Sequence, residues 1–506
     1  KTDYSIPDSM GILMTFKYDN VNLMDFQRID ELHDIGYNRT ISMMDSIKSR
    51  IHRRVNLDNI RLRRMVYRSN FPELRFKNII IDGANPQQQA YMKKEFHKSD
   101  NKEFTYEDLK QGYFRLLSDK MISEIIPHAI YNPEDDTYDL HLKVKLENNF
   151  AVRLGGNIST SNSNQIYLGL SYQDLNYYAK EFILDGQLGK VYNNVQFMAK
   201  IDFATAIPTS YRFIGSISTF DYFKKDKLFS RNNKPAFNQK DERFLKLQVG
   251  LPFLSSKRAE FGVGIARIED KYFQKSVIDF GNDKFDKSRY DLFGGSISFN
   301  GSTLNSKQYP TRGYREALVA QIFVGKERFY PGEGSTTSNN KDHHSWLQLS
   351  YMKEKYHNMS EHWVLGWYLK ALYASKNFSE NYTATMMQAG EFSPTLHSKL
   401  TYNEAFRANQ FVGAGIRPIY RLSQMFHLRG EFYGFMPIYP IEKNSLNKAY
   451  YGKAFSKFEY LGEISVVCQL PFGDISAYVN HYSSPKREWN VGLSIGLQLF
   501  NYRFIE

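Results

Sequence analysis

Few residues in this sequence have the types and spacing that catalysis or metal binding requires. His343 and His344 follow Asp342 in a polar stretch, but no third ligand stands at a fixed spacing on a strand or helix, so a solvated loop is the better interpretation. The single cysteine, Cys468, excludes an intrachain disulfide and any cysteine-based metal site. Three other histidines are candidates for a Ser–His pair at an outer rim, and nothing singles one out: His357, His362 and His481. We therefore expect neither a metal nor a cofactor.

Length and composition limit the class of protein that must position any such residue. The chain has 506 residues, enough for two or three domains, and its 42% hydrophobic and 15% aromatic content excludes a disordered chain. No stretch approaches the roughly 18 consecutive apolar residues of a membrane helix, so we do not expect a helical membrane protein. The basic residues behind the net charge of +12 are dispersed along the sequence and do not form the continuous basic stripe that is typical of nucleic-acid binding. Anionic lipopolysaccharide is a better expected partner for them than nucleic acid.

The first 73 residues read as one strand and two helical segments. Residues 11–18 are strand-like, and apolar residues recur at helical spacing over residues 25–51. One strand and one helix cannot enclose a core, so residues 1–55 should pack on something else. Residues 56–73 are predicted to form a linking helix, whose basic run at residues 61–64 is either a solvated face or a contact with anionic lipid.

Residues 74–148 follow the order strand, helix, helix, strand, strand. The end of the first strand carries Ile79 and Ile81, and Gly83 follows in a turn. Thr105 and Asp108 form a capping-box signal at the start of the second helix. In order and length this segment resembles a polypeptide-transport-associated (POTRA) domain. The resemblance implies a periplasmic domain that precedes a barrel and handles a polypeptide segment by strand addition at its sheet edge.

From residue 149 onward, the hydrophobic period changes to two. The last predicted strand continues to Leu499, and small or polar residues alternate in it with large apolar ones. The apolar face consists of Trp489, Val491, Leu493, Ile495, Leu497 and Leu499. Long polar loops alternate with tight turns, and aromatic residues such as those at 500–504 are expected at the membrane interfaces. Because lipid offers the backbone no hydrogen-bond partner, such strands must close on themselves. We therefore predict a barrel of roughly 16 antiparallel strands over residues 149–506.

Two motifs narrow the family. Pro310, Arg312 and Gly313 belong to a Pro-Thr-Arg-Gly run before an alternating strand, which is similar to the strand entry of the outer-membrane assembly-factor (surface-antigen) barrels. That superfamily also holds an arginine in the lumen on an inward-folded loop. Arg407 is the nearest match, although the glycine that should follow it is missing, so an ordinary loop or lumen arginine is the alternative. Arg312 is the other candidate for the lumen.

The N-terminal segment resembles the end of a patatin-like phospholipase domain, carried by residues 11–18, 22–26 and 36–37. In the patatin-type autotransporters, a patatin-like domain is followed by one POTRA domain and a 16-stranded barrel, and this sequence has the same order. The family's nucleophile is a serine on a Gly-x-Ser-x-Gly turn, and we expect this chain to lack that motif. Asp82-Gly83-Ala84 spells the family's aspartate motif, but we interpret it as a strand-end turn. The chain alone is expected to be inactive.

The sequence thus predicts a mainly β protein in a Gram-negative outer membrane: a short strand–helix segment, a small α+β POTRA domain in the periplasm and a transmembrane barrel. Its expected role is membrane anchor and translocation or assembly module of a patatin-like protein. A general assembly factor without an enzyme, a lipid hydrolase whose catalytic domain lies upstream of Lys1, and a diffusion pore remain alternatives. Expected partners are outer-membrane lipid and lipopolysaccharide, a polypeptide segment, and other outer-membrane or periplasmic proteins.

Overall fold

The structure is a computed structural model, and it describes residues 6–7, 11–14, 16, 29–50, 56–96, 103–161, 163–205, 207–222, 238–254, 256–273, 284–333, 335, 338–484 and 489–506. The chain forms two compact units, Lys1–Leu74 with Asn132–Thr137 and Arg75–Tyr131 with Tyr138–Glu506. Among the described residues, no helix is both long enough and apolar enough to cross a membrane.

The N-terminal unit contains three helices, α1 (Ile29–Ser42), α2 (Met44–Arg50) and α3 (Leu57–Ser69). Asn56 caps α3 by accepting a hydrogen bond from the backbone N–H of Asp58. None of the three helices has a buried residue. The strand predicted over residues 11–18 falls partly outside the described residues, and residues 11–14 and 16 are not in a strand.

A small α+β domain follows, with the predicted order of its long elements. Its elements are β1 (Arg75–Asp82), α4 (Pro86–Phe96), β2 (Phe104–Thr105), α5 (Tyr106–Leu117), β3 (Ile122–Asn132) and β4 (Thr137–Leu146). The sheet order is β2-β1-β4-β3, with β1 and β4 parallel. Thr105 and Asp108 form the capping box that the sequence predicts at the start of α5. The sheet and both helices enclose one core, against which Ala179 of the barrel packs.

Sixteen strands form a closed barrel, which confirms the predicted architecture. They are β5 (Phe150–Ser159), β6 (Gln165–Leu175), β7 (Ala179–Gly189), β8 (Tyr192–Phe203), β9 (Thr209–Asp221), β10 (Asn238–Phe253), β11 (Lys257–Tyr272), β12 (Asp286–Ser302), β13 (Gly313–Tyr330), β14 (Asn340–Asn358), β15 (Trp363–Ala374), β18 (Gln410–Arg421), β19 (Phe426–Pro437), β22 (Glu459–Leu470), β23 (Gly473–Tyr482) and β24 (Trp489–Gly496). The loops carry α6 (Tyr382–Gln388), β16 (Gly390–Glu391), β17 (Arg407–Ala408), β20 (Ile441–Lys443) and β21 (Ala449–Tyr451). Each barrel strand pairs antiparallel with its neighbours, and β24 returns to β5.

The two faces of the barrel wall differ in polarity. On β24, the outward side chains of Trp489, Val491, Leu493 and Ile495 are exposed, as hydrocarbon requires. The inward face carries buried polar side chains on most strands, including Gln165, Gln187, Asn194, Gln321, Glu354 and Arg429. Burial of these polar groups shows that other parts of the chain occupy the lumen.

Candidate functional site: the seam and the filled lumen

The barrel closes through a thin seam between its first and last strands. β24 and β5 share only three residue pairs, Ser494 with Ser159, Ile495 with Ile158 and Gly496 with Asn157. The neighbouring β23–β24 interface has eight pairs. Residues 150–155 of β5 are exposed on both faces, and Leu154 is 81% exposed. Within the described part of the chain, residues 150–155 have no strand partner on the seam side.

Three glycines form the bend at which β24 leaves the seam. Gly156, Gly473 and Gly496 have φ of +147°, +147° and +118°. A Cβ added to Gly496 would lie 2.2 Å from the backbone oxygen of Gly156, and one on Gly473 would lie 3.0 Å from the Cα of Gly496. The left-handed backbone and the close approach both require glycine here. The bend therefore ends β24 at Gly496, three residues before the predicted end at Leu499.

The last ten residues turn into the lumen instead of continuing along the wall. Phe504 is 3% exposed, with its ring 5.9 Å from that of Phe244 and 5.7 Å from that of Phe323. The ring of Phe500 lies 5.6 Å from that of Tyr192. The prediction that these aromatic residues form an interfacial girdle is wrong. The bend at the seam directs them to an inner wall that offers aromatic neighbours.

The long loop between β15 and β18, residues 375–409, also folds into the lumen. Asn381 donates a hydrogen bond to the hydroxyl of Tyr272 at 2.7 Å. His397 Nδ1 lies 2.9 Å from Glu463 Oε1, and both side chains are buried. The loop's first cation, Lys376, is buried as well, with Nζ 4.5 Å from the centre of a tryptophan ring on β14. The loop is thus pinned to lumen-facing residues on both sides of the barrel.

The turn between β12 and β13 enters the lumen from the opposite end. The hydroxyl of Tyr309 donates to Ser476 Oγ at 2.9 Å, and Gln469 Nε2 donates to the Tyr309 carbonyl at 3.3 Å. Loop, turn and tail together occupy the lumen, so the described structure does not present the open passage of a diffusion pore.

The Pro-Thr-Arg-Gly run lies in this turn. Gly313 has φ of +94°, and a Cβ there would lie 2.1 Å from the Thr303 oxygen, so glycine is needed where β13 begins. Pro310 is buried, whereas Arg312 is exposed and is bound through its backbone, which donates to Asn305 Oδ1 at 2.9 Å and accepts from the Asn305 N–H at 3.2 Å. The structure therefore places Pro310 and Gly313 at the inner turn, and Arg312 outside the packed lumen.

Arg407, the other predicted lumen residue, is buried in the inward loop. Its Nη2 lies 2.8 Å from Glu391 Oε2, and its Nη1 donates to the carbonyls of Met387 at 3.4 Å and Ala389 at 3.3 Å. The guanidinium lies 4.7 Å from the centre of the Tyr402 ring. Arg407 therefore holds the loop's own fold together from within.

A buried ionic network that the sequence did not single out lies on β14, β18 and β19. Arg417 donates to Glu354, and Arg429 donates to Glu431. Arg429 also donates to the hydroxyl of Tyr356 at 3.0 Å. All of these side chains are at least nine-tenths buried. Charges in such a place persist only when they are paired and hydrogen-bonded.

The network binds both intruding segments. Arg417 Nη2 donates to the Pro394 carbonyl in the loop at 3.2 Å, and Arg429 Nη1 donates to the Pro310 carbonyl in the turn at 2.8 Å. Its signal in the sequence is the charge at alternate, inward positions of two neighbouring strands. That signal cannot be separated from ordinary lumen polarity without the partners.

The predicted residues of the small domain lie in and beside its core. Ile79 and Ile81 are buried there, and their backbone pairs with β4. β2 pairs with β1 only at Arg75 and Phe76, and beyond Phe76 no described strand covers that side of β1. Gly83 has φ of +89°, with no space for a Cβ beside the Val144 oxygen. The longer exposed edge of this sheet is β3.

The candidates for chemistry do not form a catalytic site. Asp82 is exposed at the end of β1. One pentapeptide, residues 492–496, does match Gly-x-Ser-x-Gly by its letters, but it lies in β24, and Ser494 Oγ bonds to Asn157 Oδ1 at 2.7 Å. It is a barrel strand, not a strand-to-helix turn.

His343 and His344 lie in β14, so the predicted loop there is wrong. The strand extends past the apolar band, where polar residues can still pair. His344 is buried with Nε2 2.8 Å from Glu327 Oε2. Among the described residues, no group of three His, Cys, Asp or Glu side chains could hold a metal ion.

Comparison with known proteins identifies the fold. No protein-family model matches the chain, and no curated protein is similar to it in sequence. The solved structure of CdiB from Acinetobacter baumannii is 9% identical, with 84% of this chain and 74% of that chain covered and a TM-score of 0.49. The structure of CdiB from Escherichia coli is 11% identical, with 84% of this chain and 76% of that chain covered and a TM-score of 0.47. The crystal structure of BamA from Haemophilus ducreyi lacking POTRA domains 1–3 is 12% identical, with 84% of each chain covered and a TM-score of 0.55. The similarity to BamA shows that this chain has the fold of a BamA-type outer-membrane barrel.

Proposed function

We propose that this protein acts in the outer membrane of a Gram-negative bacterium, where it helps polypeptide segments to enter or cross the membrane at the β5–β24 seam. One observation carries the proposal: residues 150–155 of β5 present a strand edge without a partner, beside a seam of three residue pairs. An exposed edge of this kind is a template for pairing with another chain. The filled lumen disfavours free diffusion of solutes as the activity.

The architecture supports the same proposal. The bend at Gly496 shortens β24 and leaves the β5 edge open, while β5 stays fixed to β6 by eight pairs. An incoming strand can therefore begin to pair at residues 150–155 and then extend along β5 by separating only the three seam pairs. The likeness to BamA concerns the fold, and the function is inferred from the seam.

Locking the seam tests this function. In a Cys468→Ser background, Ile158→Cys and Ile495→Cys place two thiols on residues that are direct partners across the seam. We expect the oxidised protein, reconstituted in liposomes, to lose its ability to insert an unfolded outer-membrane barrel protein supplied in urea. Heat-modifiable migration of that client in gels measures insertion, and a reductant should restore it.

The matched control uses the same position in β24 on its other side. Ile475 and Ile495 are partners across the fully paired β23–β24 interface. The disulfide formed by the double substitution Ile475→Cys, Ile495→Cys should therefore leave insertion unchanged. Equal activity of the oxidised and reduced seam-locked protein would refute an opening at this seam.

We also propose that the small α+β domain is a periplasmic POTRA domain that receives a polypeptide segment along β3. This strand is at the edge of the sheet and contains Pro127, which lacks an N–H and suits an edge. Ile126 and Ile130 are exposed on it. Cross-linking from a photoreactive residue at position 126 to a client in the periplasm tests this assignment, and a matched probe at buried Leu140 of β4 is its control.

The link to a patatin-like phospholipase rests on the order of sequence elements, and it stays a prediction. It is tested by the intact mass of the polypeptide purified from native membranes. A mass well above 59.2 kDa supports an upstream catalytic domain. A mass at that value leaves the transport or assembly role alone.

A further inference from the structure

The C-terminal tail, residues 497–506, is held in the lumen mainly through its backbone. Gln165 of β6 binds Leu499 at two points: its Nε2 donates to the carbonyl at 2.8 Å, and its Oε1 accepts from the N–H at 3.0 Å. Gln308 does the same one step earlier, donating to the Gly496 carbonyl at 3.2 Å and accepting from the Gln498 N–H at 3.1 Å. Each amide side chain thus satisfies one donor and one acceptor of the main chain, as a neighbouring β-strand would.

A third glutamine repeats the pattern at the end of the tail. Gln321 Nε2 donates to the Phe504 carbonyl at 3.1 Å, and its Oε1 accepts from the Glu506 N–H at 3.0 Å. Gln348 Nε2 donates to the Glu506 carbonyl at 2.6 Å, and Lys246 Nζ lies 3.4 Å from the Glu506 carboxylate. The glutamines involved are all more than nine-tenths buried.

Side chains of the tail add two aromatic contacts. Phe504 fits between Phe244 and Phe323 over two glycines, since a Cβ on Gly264 would lie 2.9 Å, and one on Gly294 3.1 Å, from its ring. Phe500, four residues earlier, packs on Tyr192. The wall therefore offers small residues where an aromatic ring must approach.

The same wall has amide groups that the tail does not use. Gln196 on β8 and Gln248 on β10 are 4% and 5% exposed, and their Oε1 atoms have no hydrogen-bond partner within the described part of the chain. A buried amide oxygen without a partner costs free energy, so its retention points to a ligand. Both glutamines lie on strands whose neighbours contact the tail.

These contacts hold the extended backbone of the tail at several points. Among its side chains, Asn501 also bonds to Gln187 and Asn194, and the Tyr502 hydroxyl accepts a hydrogen bond from Arg212. Neutral amides bind every residue type alike, and their hydrogen bonds are individually weak, so a bound segment can exchange. We propose that the glutamine-lined wall is a binding site for an extended polypeptide segment with aromatic residues four positions apart, and that the tail is its resident occupant, which an incoming segment replaces. The inference rests on the proposed function, and it adds where the segment binds and what it displaces.

Peptide binding to a variant without the tail tests this site. The variant ends at Gly496, and the probe is a fluorescein-labelled ten-residue peptide with the sequence of residues 497–506. We expect saturable binding by fluorescence anisotropy in detergent, and at least about tenfold weaker binding to the full chain, whose site is filled. Gln165→Leu or Gln321→Leu in the shortened variant should each weaken binding about tenfold, because each removes two hydrogen bonds.

Two controls distinguish binding at this site from nonspecific binding of the peptide. Gln173→Leu makes the same substitution on β6, the strand of Gln165, at a residue whose amide donates to Glu181 at 3.1 Å, and it should leave the affinity unchanged. A peptide scrambled except at positions 500–502 and 504, whose side chains contact the wall, should keep its affinity, whereas N-methylation at the positions of Leu499 and Glu506 should abolish binding. Binding that tolerates N-methylation and both glutamine substitutions overturns the inference, as does a folded shortened barrel that binds no peptide.

A second measurement uses the full chain, in case the shortened variant does not fold. In the Cys468→Ser background, Ile505→Cys places a partly buried thiol on the tail. Adding unlabelled peptide should raise its rate of maleimide labelling, and a constant rate at all peptide concentrations overturns the inference. If the peptide measurements contradict this site while the seam lock still abolishes client insertion, only the inference is refuted. If the seam lock has no effect, the proposed function itself falls.

Discussion

Gly496 in the last strand lies directly against Gly156 in the first, with the Gly156 oxygen 2.2 Å from where a Cβ of residue 496 would be. The backbone N–H of Leu497 donates to the same oxygen at 2.7 Å. This one contact ends the last strand, directs the tail inward and leaves the edge of β5 at residues 150–155 without a partner. The thin seam and the filled lumen thus have a common origin.

Replacing Gly496 with alanine should destabilise the barrel. Alanine at positive φ costs about 1–2 kcal/mol, and its Cβ also has no room beside Gly156. We expect the free energy of unfolding, measured by urea titration in lipid vesicles, to fall by at least that amount. Gly186→Ala on β7 is the matched control, because the nearest atom there lies 3.8 Å away. Similar losses for both variants would contradict the role of this bend.

Truncating Arg429 should cost much more than truncating an exposed arginine. Arg429→Ala leaves the buried Glu431 without its nearest cation and removes the bond to Pro310, so we expect a loss of about 3–5 kcal/mol in unfolding free energy. Arg267 pairs with Asp291 at 2.7 Å but is 46% exposed, and Arg267→Ala should cost under about 1 kcal/mol. Urea titration of both variants measures the difference, and equal losses would show that the lumen network is not buried in the working protein.

The wall of the barrel was predictable because each strand obeys a local rule. An outward position must suit hydrocarbon and an inward one must not, and β24 shows this with Trp489 and Val491 outside and Asn490 and Gly492 inside. The capping box at Thr105 is equally local. These features depend on neighbours within a few residues, which the sequence displays directly.

The contents of the lumen were not predictable, because they depend on contacts between distant residues. Leu497 and Leu499 continue the alternation of β24, so only the approach of Gly156 shows where the strand ends. Gln165 and Gln321 look like ordinary inward polar residues until the tail is seen between them. Their spacing in the sequence carries no sign of a common ligand.

Removing His397 should release the inward loop. Its ring stacks on Tyr478 with centroids 3.4 Å apart, and its Nδ1 contacts Glu463. We expect His397→Ala to raise the single-channel conductance in planar bilayers, because the loop then leaves part of the lumen. His362→Ala, at the turn between β14 and β15, should leave the conductance unchanged. If neither variant conducts more than the unaltered protein, His397 is not needed to keep the loop in place.

Mild acidification should stabilise the small domain. Burial raises the pKa of Glu95 and of Asp119, against the opposing effects of Arg115 on the first and of the Met121 N–H and the Tyr91 hydroxyl on the second. The folded domain therefore keeps protons that the unfolded chain has lost, so this stabilisation is present at low pH and is lost as the pH rises through the raised pKa values. Hydrogen exchange of β1 and β4 amides, corrected for intrinsic rates, should show more protection near about pH 5 than near about pH 7. The double variant Glu95→Gln, Asp119→Asn should remove this difference, and its persistence would assign the effect to other groups.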